Sequence, residues 1–470
     1  MIYTVKFSQS HTPCRLTSFT SLVYFQPAGY PNRKAGTYML DIKILLKKPN
    51  RALNRLIARD PGISIDHIRE LDQKRRELIG RVESMKSEQN RANKEIGARR
   101  KAGEDVSDLF EKMKQISGDI KALDKDLQDI EEELNEAIEV LPNIPLPDVP
   151  VAQDKSGNVE VRRSGEFNTP DKWDFEFKNH IDVAEGLSVR GGLDFPSAAR
   201  MTGSNWPMYR GGLARLEWAL VMFFIDRAVE DGRELIIPPY CVNSDSMFAS
   251  GQFPKFRDQA YECSDDDLVL IPTSEVPLLN MYRGEILSHE MLPLRLASFT
   301  PCFRREAGTY GTEERGLIRI HQFHKVEIFS YTEPQDSPAE MERMVSYAES
   351  VVDALGLPYR TVMLATGDLA QQAASTIDIE AWLPGQNASS EVSSVSNCTD
   401  YQARRANIRY RAADSKKPQF LHTLNGSALA TSRIMVSLIE HYQRSDGGLD
   451  VPEVLQPYMN GLKHIAPKST

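Results

Sequence analysis

Between residues 109 and 137 the apolar positions Leu109, Met113, Ile116, Ile120, Leu123, Leu127, Ile130, Leu134 and Ala137 recur at steps of four and three. That spacing is the seam of a coiled coil. An earlier run, Leu71, Leu78, Val82, Met85, Ala92 and Ile96, keeps the same spacing, with Arg75 and Gln89 at two seam positions. The link Arg100-Lys-Ala-Gly-Glu-Asp is short and contains Gly103, so the two helices should fold back as an antiparallel hairpin. At the α-helical rise, such helices make an arm of roughly 45 Å.

The pattern changes at LPNIPLPDVP (Leu141–Pro150), whose four prolines stop the helix and read as a linker between domains. Beyond it apolar strands alternate with helices. Leu213–Ala228 reads as an amphipathic helix, Leu235-Ile-Ile-Pro-Pro as a strand stopped by proline, and Leu268–Pro272 as another short strand. Strand-rich stretches continue through residue 330 and return near 358–366 and 391–396. The mixture predicts an α+β fold, a largely antiparallel sheet flanked by helices.

Within that region residues 303–329 read FRREAGTYGTEERGLIRIHQFHKVEIF. Strand alternation over its second half puts Ile318, Ile320, Val326 and Ile328 on one face and Arg319, His321, Phe323, Lys325 and Glu327 on the other. Arg304 and Glu306 share a face of the incoming strand, ahead of a Gly308/Gly311 turn with Glu313, Glu314 and Arg315. Guanidinium groups suit phosphate oxygens and an aromatic face suits a base, so a nucleotide is one reading. A surface hairpin with cross-strand ion pairs is the other. His321 and His324, three apart on a strand, point oppositely and do not suggest a shared metal. Residues 424–443, LNGSALATSRIMVSLIEHYQ, place Arg433 in the first turns of a helix that buries Ile434, Leu438 and Ile439. The positive helix end beside a guanidinium favours a polyphosphate, although an amphipathic helix with one solvent-facing arginine reads the same way.

Length and charge narrow the picture. At 470 residues the chain is too long for one ordinary domain, and no run of eighteen apolar residues could span a bilayer. A net charge of −9 argues against a general basic coat, so any RNA contact must be local. The first arm helix offers such a stripe, with Arg76, Arg91, Arg99 and Arg100 among its basic residues. Solvated faces and inter-helix ion pairs would leave the same pattern. Five scattered cysteines without CxxC spacing suggest neither a disulfide framework nor a zinc site, and fit a reducing cytoplasm. Residues 1–38 lack Asp and Glu and read either as an organellar transit peptide or as an extension upstream of a start at Met39.

Taken together, these blocks carry a resemblance. Phe303-Arg-Arg-Glu with its glycine loop and Phe323 is similar to motif 2 of the class II aminoacyl-tRNA synthetases, residues 424–443 resemble motif 3, and the region 213–239 looks like motif 1, the dimer-forming element. Within that class the helical arm, Thr273-Ser-Glu275, Glu391-Val-Ser-Ser394 and Asn425-Gly-Ser427 resemble the seryl-tRNA synthetases of the bacterial type. The resemblance implies four segments: an extension at 1–38, a tRNA-binding domain at 39–140, a linker at 141–150 and a class II aminoacylation domain at 151–470.

By the same resemblance Arg304 and Arg433 are catalytic. Arg304, Arg305, Glu306, Arg319, Ile320, Phe323, Glu391, Val392, Ser393, Ser394 and Arg433 would bind ATP, with Glu391 and Ser394 meeting Mg²⁺ through it, and no zinc is expected. Thr273, Ser274, Glu275, Arg304, Glu327 and Ser427 would bind L-serine. Arg76, Arg91, Arg99 and Arg100 would include contacts to tRNA(Ser), with use of tRNA(Sec) left open. A homodimer in the cytoplasm, without membrane association, completes the expectation. Arg305, where a small residue is frequent in the family, and Ala428-Leu-Ala-Thr-Ser depart from the commonest family pattern. The rivals are a synthetase-like binding protein without catalysis and an enzyme that passes its adenylate to a carrier protein; the latter would not need the arm.

Overall fold

The computed structural model describes residues 40–47, 49–187, 192–307 and 316–468. The expectations for residues 1–38 and for the turn containing Gly308, Gly311, Glu313, Glu314 and Arg315 lie outside the described residues. The arm consists of α1 (Asp66–Ala102) and α2 (Ser107–Glu139), whose 37 and 33 residues give roughly 50 Å. Leu71, Val82, Ala92 and Ile96 on α1 and Leu109, Ile116, Ile120, Leu123 and Leu134 on α2 are buried along the seam. The two polar seam residues have hydrogen-bond partners: Gln89 donates to Ser117 of the facing helix at 3.0 Å and Arg75 to Asp72 at 2.8 Å. Gly103 closes α1 at φ 76°, a left-handed cap that glycine adopts without strain.

The base of the arm packs into a cluster with Val242, Phe248, Phe253, Val276 and Tyr401, joining it to the rest of the chain. Arg59 seals this junction from inside, donating to the carbonyls of Asn143, Leu369, Ala370 and Ala373 at 2.5–3.0 Å. The proline segment after α2 is strapped down rather than suspended. Asn143 is 3% exposed and its amide donates to the carbonyls of Gln372 and Cys398 at 2.8 and 2.7 Å.

Among the described residues eight strands form the main sheet: β1 (Val159–Ser164), β2 (Glu234–Ile236), β3 (Leu294–Phe303), β4 (Gln322–Thr332), β5 (Tyr359–Met363), β6 (Ser375–Leu383), β7 (Ala388–Asn397) and β8 (His422–Ala430). Their spatial order is β1-β5-β6-β7-β8-β4-β3-β2, antiparallel throughout except for the β2–β3 pair. Helices α3 (Gly211–Glu230), α4 (Ser337–Ala354) and α5 (Thr431–His441) bury one face in a single core with Ala297, Val326, Ile328, Ile377, Ile379 and Val395. This is the α+β, antiparallel-sheet architecture with a helical-hairpin arm that the pattern predicts. Gly426 belongs to this core face: a β carbon there would stand 3.0 Å from Val395 and 3.5 Å from Ile328. The absence of a side chain there permits close packing of the neighbouring strands.

The hairpin β3–β4 is shorter than the alternation implies. Arg304 bonds its amide to the His321 carbonyl at 2.9 Å as a last rung, and Arg305 turns its own amide to the Gln259 carbonyl at 2.9 Å. Arg304 and Glu306 therefore sit just past β3, with Glu306 at φ 48°, and Ile318 through His321 precede β4 instead of opening it.

Candidate active site

The sheet face opposite the core carries a polar row. Glu327 on β4 stands directly across from Ser427 on β8 and from Ser298 on β3, while Asp378 on β6 stands across from Ser394 on β7. Directly opposed residues of antiparallel strands share a face, so this row is a consequence of register. Val395 pairs with Gly426, one step along, which brings the two parts of the row together.

Glu391 and Ser394 are three apart and on a regular strand would point to opposite faces. Here they do not. The register shifts between Ile379 and Glu380, so that Glu380 faces Glu391 while Ile379 faces Ser393, and Val392 is the extra residue. This bulge turns the buried Val392 into the core and leaves Glu391 and Ser394 on the site side. A second shift lies between Ser427 and Ala430 on β8, where Leu429 has φ 83°, and it delivers the chain into α5 with Arg433 near its start.

At the centre of the row Lys325 Nζ lies 2.5 Å from Glu327 Oε2, both side chains almost wholly buried. Thr273 donates to the same oxygen at 3.2 Å. Nearby, the buried Glu275 accepts from Gln402 at 2.5 Å and from Gln372 at 3.4 Å. Burial, and then the neighbouring Glu327, push the Glu275 carboxyl up to about 7. Burial also lifts Glu327 above the usual carboxylate range, with Lys325 and Thr273 pulling the other way. Two carboxyls in one dry pocket suit a small, hydrogen-bonding cationic group.

To one side lie the arginines. Arg304 stands over the Phe323 ring at 5.1 Å, Arg319 reaches Glu306 at 3.4 Å, and Arg433 meets Glu391 at 3.1 Å through the carboxylate and 2.9 Å through the carbonyl. Enclosure by the pocket walls would raise the Glu391 carboxyl, but Arg433 and then Arg304 outweigh it and hold it below its ordinary value. Asp378 goes the other way, pushed up by burial and by Glu391, and its Oδ1 is buried without a hydrogen-bond partner among the described residues. Among the described residues no three His, Cys, Asp or Glu side chains cluster to hold a metal.

The remaining sequence candidates are placed less directly. Ile320 and Val392 point into the core, the Ser393 hydroxyl ties to the Ser427 carbonyl at 2.6 Å, and the Ser274 hydroxyl lies 3.5 Å from the Ser298 carbonyl. The side chains of these four are occupied by the core or by main-chain carbonyls. Arg305 is exposed at the rim. His321 and His324 do diverge: His321 Nδ1 is 3.0 Å from the Arg304 carbonyl and His324 Nδ1 is 2.9 Å from Glu217. On the arm Arg76 pairs with Asp72, Arg99 with Glu95 and Asp108, and Arg100 lies over Phe110 at 5.0 Å, while Arg91 is exposed. Sequence reasoning placed Lys325 on the right face but assigned it no role, and it missed Asp378, Gln372 and Gln402. Alternation along β6 marks Asp378; nothing local marks the two glutamines.

Comparison with known proteins decides the family. A model of the seryl-tRNA synthetase N-terminal domain matches residues 39–145, and a model of the class II tRNA synthetase core domain (G, H, P, S and T) matches residues 260–442. The crystal structure of seryl-tRNA synthetase from Pyrococcus horikoshii complexed with ATP is 39% identical, with a TM-score of 0.86 over 91% of this chain and 99% of that one. The chain belongs to the seryl-tRNA synthetase family. Within the family, cytoplasmic serine-tRNA ligase from Naegleria fowleri in complex with AMP is 29% identical, covering 92% of this chain and 99% of that one with a TM-score of 0.83. Outside it, Giardia lamblia prolyl-tRNA synthetase in complex with prolyl-adenylate shares 16% identity over 59% of this chain and 54% of its own, with a TM-score of 0.50. At that identity the likeness is one of fold, the class II sheet that seryl-tRNA synthetases have in common with it.

Proposed function

We propose that this chain is a serine–tRNA ligase that forms seryl-adenylate from L-serine and ATP, releases pyrophosphate, and passes serine to the 3′ end of tRNA(Ser). The single observation that carries the reading is the shared sheet face, where a pocket with two buried carboxyls lies beside an arginine-lined one. In the first, Glu275, Glu327, Thr273 and Ser427 would take the amino and hydroxyl groups of serine. An alanine competitor would leave the buried partners of the hydroxyl unpaired, a far stronger penalty than threonine's additional methyl, which is worth about 1–3 kcal/mol.

In the second pocket, Phe323 offers a stacking face for adenine, and Arg304, Arg319 and Arg433 offer guanidinium groups for phosphates. Arg433 must give up part of its bond to Glu391 to take a phosphate, which frees the carboxylate at the same moment. The serine carboxylate is already an anion, so attack on the α-phosphorus needs no general base; positioning and charge stabilisation carry the step. The oxygen donors fit Mg²⁺: Glu391, whose charge is retained, the Ser394 hydroxyl, and Asp378 Oδ1, which has no hydrogen-bond partner among the described residues. When bound, the ion would neutralise phosphate charge.

The arm would serve tRNA through its first helix, on which Arg76, Arg91 and Arg100 are exposed. A homodimer is supported by large apolar side chains left exposed, Trp218 (57% exposed) and Met222 of α3 and Ile237 (79% exposed), which follows β2. The bacterial-type assignment rests on the arm and the blocks Thr273-Ser-Glu275, Glu391-Val-Ser-Ser394 and Asn425-Gly-Ser427, while the archaeal relative has the higher identity of the two. A cytoplasmic location is favoured by four free cysteines among the described residues. No helix among the described residues is long and apolar enough to cross a membrane. Serine-dependent exchange of pyrophosphate into ATP, run beside threonine and alanine and followed by charging of tRNA(Ser), tests the reading; no exchange with serine would remove it.

A further inference from the structure

The two halves of the arginine-lined pocket are fastened together on the far side of the sheet. His324 lies between Phe323 and Lys325 on β4, so its side chain leaves the strand on the helix side while theirs leave on the site side. There its Nδ1 stands 2.9 Å from Glu217 Oε1 of α3. Thr431, the first residue of α5, donates its hydroxyl to the same oxygen at 2.5 Å, and that hydroxyl lies 3.1 Å from the His324 carbonyl. Glu217 is 3% exposed, and its second oxygen is buried without a hydrogen-bond partner among the described residues. A residue that only filled space would not bury an unpartnered carboxylate oxygen, which is costly.

The chain just before this clamp is strained. Leu429, fully buried, holds φ 83°, a conformation that bulky side chains adopt only when their surroundings enforce it. Thr431 follows two residues later and Arg433 two after that. We infer that Glu217 is a positioning residue for the nucleotide: by holding Thr431 against β4 it fixes the start of α5, and so sets Arg433 relative to Phe323. The inference rests on the reading of Arg433 and Phe323 as ATP contacts.

The test is serine-dependent pyrophosphate–ATP exchange by wild type, Thr431→Val, Thr431→Ser, Glu217→Leu and the Glu217→Leu/Thr431→Val double variant. Thr431→Val keeps the shape and removes the hydroxyl, so it should raise KM for ATP about tenfold or more while KM for serine stays within about twofold. Thr431→Ser, which keeps the hydroxyl, should restore the wild-type value. The double variant should be no worse than Glu217→Leu alone, because both changes remove one interaction. Equal rises in the two KM values, an unchanged KM for ATP in Thr431→Val, no rescue by serine, or effects that multiply in the double variant would each overturn the inference. If Glu217→Leu does not fold, the Val and Ser contrast decides alone. Absence of exchange in the wild type would instead strike the functional reading beneath it, so the two failures are distinguishable.

Discussion

Lys325 and Glu327 form an ion pair at 2.5 Å with side chains 9% and 3% exposed. Replacing Lys325 with methionine keeps the aliphatic stem and removes the charge, leaving Glu327 with the Thr273 hydroxyl and the more distant charge of Arg304. Breaking a buried pair on one side costs about 3–5 kcal/mol, because the stranded charge stays desolvated. In a unit of this size that lowers Tm by about 3–6 °C. Removing both charges in Lys325→Met/Glu327→Gln should recover most of the loss, since glutamine can still accept from Thr273. Thermal melts at fixed protein concentration and pH 8 measure both variants. The pH dependence has a definite sign. Glu327 already titrates above its ordinary range, and loss of Lys325 raises it further. Protonation then relieves the stranded charge, so the gap between wild type and Lys325→Met should narrow as pH falls from 8 to 5. A single variant that melts with the wild type, or a double variant less stable than the single, would refute the reasoning.

Glu275→Gln reports a neighbouring group. With its folded pKa raised from 4.5 to about 7, ionisation of Glu275 weakens the fold as pH climbs through that interval. Glu275→Gln should therefore gain on the wild type by up to about 3 kcal/mol between pH 4 and 8, and a pH-independent difference in unfolding free energy would contradict this. Arg433→Ala should lower kcat for pyrophosphate exchange by about 10²–10³-fold with little change in KM for serine; a normal kcat would rule out a phosphate role. Charge reversal at Arg76, Arg91, Arg99 and Arg100 should weaken tRNA charging and reduce its salt slope by about one for each phosphate no longer neutralised, leaving exchange untouched. Trp218→Asp/Ile237→Asp should sediment as a monomer if the apolar face holds a second copy, and as the wild-type species if it does not.

Properties carried by local period were legible from the chain alone. The four-three spacing from Leu109 to Ala137 is enough to specify a coiled-coil helix, because a seam needs only its own repeat. Alternation from Phe323 to Glu327 likewise placed the aromatic ring, the ammonium and the carboxylate on one strand face. Period does not specify which strands meet, in what register, or where one residue is inserted. Tertiary structure therefore settled that Ser427, Glu327 and Ser298 form a row across three strands, and that a bulge at Val392 puts Glu391 beside Ser394. It also brought Gln402 to Glu275 from 127 positions away and ended β3 before Arg304. Each of these depends on long-range pairing energy, which no stretch of neighbouring residues encodes alone.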